Sequence, residues 1–351
     1  MNDCSTDIAN EIQRAFQEKT ALRIEGGSSK SFYGRSIDGK PLSLSQNKGI
    51  IEYEPSELYI TAKSGTPLSV IEETIAKHSQ VLPCEPPQFS NTATIGGMVA
   101  CGLSGPRRAS SGSVRDCLLG TEIINGKGET LRFGGRVMKN VAGYDTSRLM
   151  CGALGTLGVL MSVTLRLLPK PAFEETIVLE LSESAAVSKM NDWASTPLPI
   201  SATFYNGSCL YVRLSGSTSA VKASSREIGG DTYDTQTEFW ESIKEHQHAF
   251  FNADMPLWRV SVPPNTQNLT LPGESVMEWN GGLRWCKSDA NEKLIREKAN
   301  NVAGHATLFK STGEAEIFHP LPITIMNIHK KLKQVFDPAG ILNPGKMFAE
   351  I

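Results

Sequence analysis

Apolar residues recur every three to four positions in some stretches of this chain and at every second position in others, so helices and strands are interspersed throughout. Near the start, Ile8, Ile12, Ala15 and Phe16 fall on one helical face, with Ser5 or Thr6 placed to cap it. The run ALRI then reads as a strand entering two adjacent glycines. LYITAKSG reads as a strand, and TPLSVIEETIAKHSQ as a helix capped by Thr66 with Pro67 at its first position. TEIINGKGETLRF has the alternation and turn residues of a hairpin, and VLMSVTLRLLP is a long strand ending at Pro169. Beyond PKPAF (169–173), the runs TIVLELS, ISATFYNGSCLYVRLSG and LWRVSV read as strands, with helical spacing near 183–194, 218–229 and 290–302. A last helix stops at Asp337-Pro338, before a glycine-proline tail. The elements mix without strict βαβ repetition, which predicts an α+β fold.

Composition narrows the function. The chain has 351 residues and a net charge of −2, so it offers polyanions no general attraction. The densest basic cluster, Lys330, Lys331 and Lys333, reads as the solvated face of the last helix, and no nucleic-acid site is expected. The polar, acid-containing N-terminus is not a secretory signal. Leu149–Leu165 carries no charge, but its regularly spaced glycines and following β-branched alternation predict a turn and strand rather than a membrane span. Seven scattered cysteines without a C-x-x-C pair argue against a zinc or iron–sulfur site and fit reduced thiols in a cytoplasmic compartment.

Glycine use separates the two halves: 20 of the 31 glycines lie between Gly26 and Gly158, whereas all five tryptophans follow residue 190. The first half therefore looks built to wrap a ligand. Gly26 and Gly27 let the chain turn sharply and bring main-chain N–H groups against an anion, with Ser28, Ser29, Ser31 and Lys30 as further donors. Alone, such a loop reads as a surface turn rather than a phosphate site. Two familiar phosphate motifs fail: GALGTLG (152–158) has the wrong spacing for a dinucleotide fingerprint, and GILNPGKM (340–347) has Met347 where a P-loop needs a hydroxyl. Two further glycine-rich stretches, 91–116 and 133–160, add walls that one phosphate would not need. An elongated ligand with a diphosphate and a flat ring system would.

Here the chain resembles the flavoproteins that bind FAD in the fold named after p-cresol methylhydroxylase and vanillyl-alcohol oxidase. The resemblance rests on the double-glycine loop at Ile24–Lys30, the T-x-G-G stretch at Thr94–Gly97, the turn Gly155–Val159 and the closing DPAGILNPGK at Asp337–Lys346. Within that family, PCEPPQFSNTATIGGMVACGLSGPRR and VMKNVAGYDTSRLMCGALGTLGVL look most like the FAD-binding subunits of bacterial glycolate oxidases. The resemblance implies a two-part FAD-binding domain over 1–170, an α+β cap over 171–318 and a C-terminal segment, 319–351, returning to the flavin. It implies cofactor contacts from Ile24, Gly26, Gly27, Ser28, Ser29 and Lys30, and from Thr94, Ile95, Gly96, Gly97, Gly102, Gly105 and Gly112. Asn140, Gly143, Gly155, Gly158, Val159 and Asn343 complete that set. It further implies a larger FAD-binding subunit and an iron–sulfur subunit as partners. The chain would be cytoplasmic, or held at the inner face of the membrane through that complex, with no transmembrane segment of its own.

Two departures shape the expected chemistry. Some family members attach the flavin covalently through a histidine after the double glycine; Ser28 stands there, so non-covalent FAD is expected. The histidine-rich metal motif of the family's 2-hydroxy-acid dehydrogenases is absent, and no metal site is assigned. Oxidising a 2-hydroxy acid requires a base for the hydroxyl proton, a cation for the carboxylate and a hydride acceptor. Arg213, Arg259 and Arg284 are candidate cations, and His305 is a candidate base; Arg284 and His305 are the pair singled out. Three functions remain open on sequence: an FAD-binding subunit of a glycolate-oxidising complex, a stand-alone FAD enzyme acting on a hydroxy acid or sugar lactone, and a flavin-free structural subunit.

Overall fold

The computed structural model describes residues 4–135, 145–252, 254–267, 269–311 and 316–351. The chain falls into two compact units, the first joining Met1–Leu103, Ser113–Pro169 and Pro320–Ile351, the second joining Ser104–Gly112 and Lys170–His319. Helices and strands mix in both, as an α+β fold requires.

In the first unit an antiparallel sheet runs in the order Ile50–Glu54, Tyr59–Lys63, Val159–Arg166, Leu118–Ile124, Thr130–Gly134. The uncharged run 149–165 starts at the end of a short 3-10 turn, Thr146–Met150, and runs into the central strand, Val159–Arg166. That strand is buried on both faces, which explains its unbroken apolarity. Among the described residues no helix is long and apolar enough to cross a membrane. The hairpin forms as its sequence indicates: Asn125 Oδ1 accepts from Lys127 and Glu129 N–H at 2.9 and 3.0 Å, pinning the turn.

Ile71 and Ile75 of the helix Leu68–Ala76 pack with Ile60, Val163 and Leu165 of the sheet. A second core cluster joins Ile8, Ile12 and Ala15 of the helix Ser5–Glu18 to Leu22, Leu42, Ile341 and Leu342. The expected caps differ. Cys4 occupies the first helix's N-cap position without a side-chain bond. Pro67 occupies that of Leu68–Ala76, while the Thr66 hydroxyl donates to Lys63 O and accepts from Gly49 N–H. Thr66 ties loops rather than the helix.

Leu22–Glu25 pairs in parallel with Lys40–Ser43, and Leu22 also bridges to Leu342. The last helix, Ile323–Phe336, does end before Asp337-Pro338. Its basic cluster is not uniformly solvated: Lys330 and Lys331 are exposed, but Lys333 is buried against Asp337 at 2.8 Å.

The second unit is built on an antiparallel sheet in the order Asp231–Thr232, Phe173–Glu180, Cys209–Gly216, Ile200–Tyr205, Glu274–Glu278, Leu283–Lys287, Leu257–Ser261, His305–Lys310. Helices Glu183–Ala194, Thr218–Ile228 and Glu292–Asn300 lie where helical spacing placed them. Gln236–Lys244 was not foreseen, because Phe239, Trp240 and Ile243 alone bury its inner face.

Candidate cofactor site

In the first unit the strand Leu22–Glu25 delivers the chain to a cavity of about 310 Å³. Ile24, Gly26, Gly27, Ser28, Ser29 and Lys30 line one side. Thr94, Gly96 and Gly97 approach from the middle of the unit, Gly155 and Gly158 from the turn before the central strand, and Asn343 from the tail. Four distant stretches thus converge on one space.

The glycines have a more specific reason than exposing N–H groups. A Cβ on Gly27 would lie 1.5 Å from Thr92 O, and one on Gly26 would lie 2.7 Å from Thr94 Oγ1. The first loop and the Thr92–Thr94 segment are pressed together, and the Thr92 hydroxyl donates to Gly27 O at 2.6 Å. A Cβ on Gly96 would meet Ser64 Cβ at 2.6 Å, and Gly96 N–H donates to Ser64 O at 2.8 Å. Bare backbone lets the cavity walls lean on one another. Ser28 takes a left-handed conformation (φ 56°), costing on the order of 1 kcal/mol in a non-glycine residue.

Thr94 caps the helix Ile95–Cys101 by accepting from Gly97 N–H at 3.2 Å, so its hydroxyl shapes the wall. Asn343 joins two walls. Its Oδ1 accepts from Ile24 N–H at 2.8 Å, its Nδ2 donates to Leu154 O at 2.7 Å, and its own φ is 42°. Gly155, at φ 74°, would place a Cβ 2.8 Å from Asn343 Nδ2.

Charge in the cavity is weighted to cations. Arg23 and Glu25 pair with each other at 2.6 Å. Lys30 is buried, with Nζ 3.3 Å from Gln88 O and 3.4 Å from Ser29 Oγ. Lys346 also lines the cavity, its Nζ donating to Ser31 O at 3.3 Å, and desolvation lowers its pKa. Burial pushes the Cys101 thiol on the same wall up to about 11, against the pull of Lys30 and Lys346.

Other expected contacts lie elsewhere. Ile95 and Val159 are fully buried in the core, and Gly102 ends the Ile95–Cys101 helix against Gly152. Gly105 and Gly112 belong to the second unit, where Gly105 O accepts from Trp279 Nε1 at 3.0 Å. None of these five lines the cavity. Asn140 and Gly143 lie outside the described residues. Sequence reasoning missed Ser64, which is buried against Gly96, and assigned no role to Lys346, although it closes the quoted tail motif.

The candidate catalytic residues, all in the second unit, do not gather. Arg284 pairs in register with Val260, which pairs with Ala306; His305 pairs with Ser261. Alternation therefore puts Arg284 and His305 on opposite sheet faces, whereas Arg259 shares the His305 face. Arg284 is buried, donating to Thr266 O at 3.0 Å and standing 3.5 Å from Glu183. Arg213 is buried too, its Nε donating to Ser201 Oγ at 2.9 Å beneath the Trp240 ring. Among the described residues no three His, Cys, Asp or Glu side chains are arranged to hold a metal ion.

Comparison with known proteins places the chain among FAD-binding oxidases. Residues 3–134 match the model of the FAD binding domain, and residues 323–347 that of the FAD linked oxidases, C-terminal domain. The chain is 46% identical to glycolate oxidase subunit GlcE of Escherichia coli, over 99% of each chain. It is 24% identical to glycolate oxidase subunit GlcD of Bacillus subtilis, over 99% of this chain and 88% of the relative. Among solved structures an alkyldihydroxyacetonephosphate synthase superposes with a TM-score of 0.69 at 15% identity, covering 96% of this chain and 75% of that one, a likeness of fold.

Proposed function

The chain belongs to the family of FAD-binding glycolate oxidase subunits, and from that premise we propose how its residues hold the flavin and what its assembly does. The supporting observation is the convergence of Gly26, Gly27, Thr94, Gly96, Gly97, Gly155, Gly158 and Asn343 on one cavity. The hydroxyls of Ser28, Ser29 and Ser31 and the Lys30 ammonium would hold the diphosphate, each such bond to a charged oxygen being worth about 1.5–3 kcal/mol. Asn343 and Gly155, which line the same cavity, would face the ring system. Non-covalent binding follows from Ser28, which leaves no imidazole after the glycine pair.

Bound FAD supplies the acceptor for a hydride leaving an alcohol carbon. The assembly oxidises glycolate, a 2-hydroxy acid, to glyoxylate, and electrons pass to an iron–sulfur partner beside a larger FAD-binding subunit. Arg284 and His305 face opposite ways and Arg284 is held by Thr266 and Glu183, so those two do not form a cation–base pair. Arg259 shares the His305 face, and burial together with Arg259 lowers the His305 pKa. In this reading the chain transfers electrons or supports the assembly, and the isolated-chain experiment separates that role from principal oxidation.

The test is the purified chain alone and with its companion subunits. A visible flavin band that passes wholly into the filtrate after denaturation is expected. Glycolate should leave that band intact in the isolated chain and bleach it in the complex. Bleaching in the isolated chain would make it a complete oxidase, and absence of flavin would leave only a structural subunit.

A further inference from the structure

We propose that Lys346 is the second cation of the cofactor's diphosphate, so that the C-terminal tail holds the linker together with the glycine loop. This rests on the assignment of FAD to the cavity and adds a binding residue from the opposite end of the chain.

Lys346 lines the cavity, and its ammonium has one hydrogen bond, to Ser31 O at 3.3 Å. Among the described residues no carboxylate pairs with it. Desolvation lowers its pKa, so an anion bound in the cavity would stabilise the charge of this half-buried cation. The neighbours identify the class of anion. Lys346 is tied to the loop rather than to the deeper walls: Arg35 N–H donates to Lys346 O at 2.9 Å, and a Cβ on Gly34 would touch both Lys346 O and Lys346 Cε. The ammonium therefore stands beside Ser28–Ser31. Lys30, Lys346 and Cys101 all line this cavity, and against the burial that raises the Cys101 pKa both ammonium groups pull it down. Two cations around a serine-rich loop match the two negative charges of a nucleoside diphosphate linker.

The experiment measures binding to the flavin-stripped full chain through quenching of FAD fluorescence, with ADP and riboflavin as competing probes. Lys346→Met should weaken FAD and ADP alike by about 10- to 100-fold, the loss of one charge-assisted bond, and leave riboflavin unchanged. Lys346→Arg should restore most of the loss. Lys346→Gln, which keeps a donor for Ser31 O, should behave as Lys346→Met and serves in its place if that variant does not fold. Unchanged ADP binding in the Met or Gln variant overturns the proposal even if FAD binding falls, since the ammonium would then act on the ring system. A wild-type chain that takes up neither FAD nor ADP instead overturns the cofactor assignment itself.

Discussion

At the residue scale the glycines act by letting backbone meet backbone. Gly27→Ala would force a methyl group into Thr92 O, so the loop must shift away from the Thr92–Thr94 wall. We expect a loss of roughly 1–3 kcal/mol in urea unfolding and faster flavin release on gel filtration, and wild-type retention would show that the walls yield. In the second unit, His246 lies stacked on Phe251 with ring centroids 4.0 Å apart. Burial lowers its pKa from an ordinary 6.5 to about 3, with Lys310 and Arg259 adding to the effect. Between those values the unfolded chain binds more protons than the folded one, so acid withdraws stability as pH falls below about 6.5. His246→Leu should flatten the dependence of unfolding midpoint on pH from 6.5 down to 4; an unchanged slope would assign the acid sensitivity elsewhere.

At the scale of elements, the last helix is fastened to its tail by one buried pair. Lys333 Nζ reaches Asp337, Thr156 O and Leu342 O, while the Asp337 carboxylate accepts from Ile341 and Leu342 N–H. Asp337→Ala would strand a buried ammonium and two N–H groups, which costs about 3–5 kcal/mol. Lys333→Met leaves the carboxylate its two N–H donors and should cost less; a reversed order in equilibrium unfolding would refute this division. Lys333 also marks a limit of sequence reading, since three neighbouring lysines look alike until packing selects one. The hairpin at Asn125 and the helices with strong apolar faces were legible because local chemistry dictates them. The helix Ile95–Cys101 was not, because its two glycines are helix-poor and Gly96 is explained only by contact with Ser64. Leu283–Lys287 was hidden for a related reason: its first four residues are buried on both faces, Arg284 among them, so it lacks alternation.

Across the whole molecule, sequence order and spatial order diverge. The first unit is assembled from three stretches, and its cavity takes Asn343 and Lys346 from the last of them. A fragment of residues 1–169 would leave Ile24 N–H without Asn343 Oδ1 and Leu22 without Leu342. It should retain no flavin, and adding a peptide of residues 320–351 should recover some binding; a yellow fragment would show that the tail is dispensable. The motifs revealed the family because each is a short, locally constrained loop. They could not reveal that Gly105 and Gly112 leave the first unit, since that excursion is set by partners such as Trp279, far along the chain. The bridging position of Asn343 also has a consequence for biosynthesis. The ribosome makes the tail that carries Asn343 and Lys346 after every other wall of the cavity. On the proposed binding mode a nascent polypeptide would not close around its coenzyme, and loading would wait until translation has passed the tail.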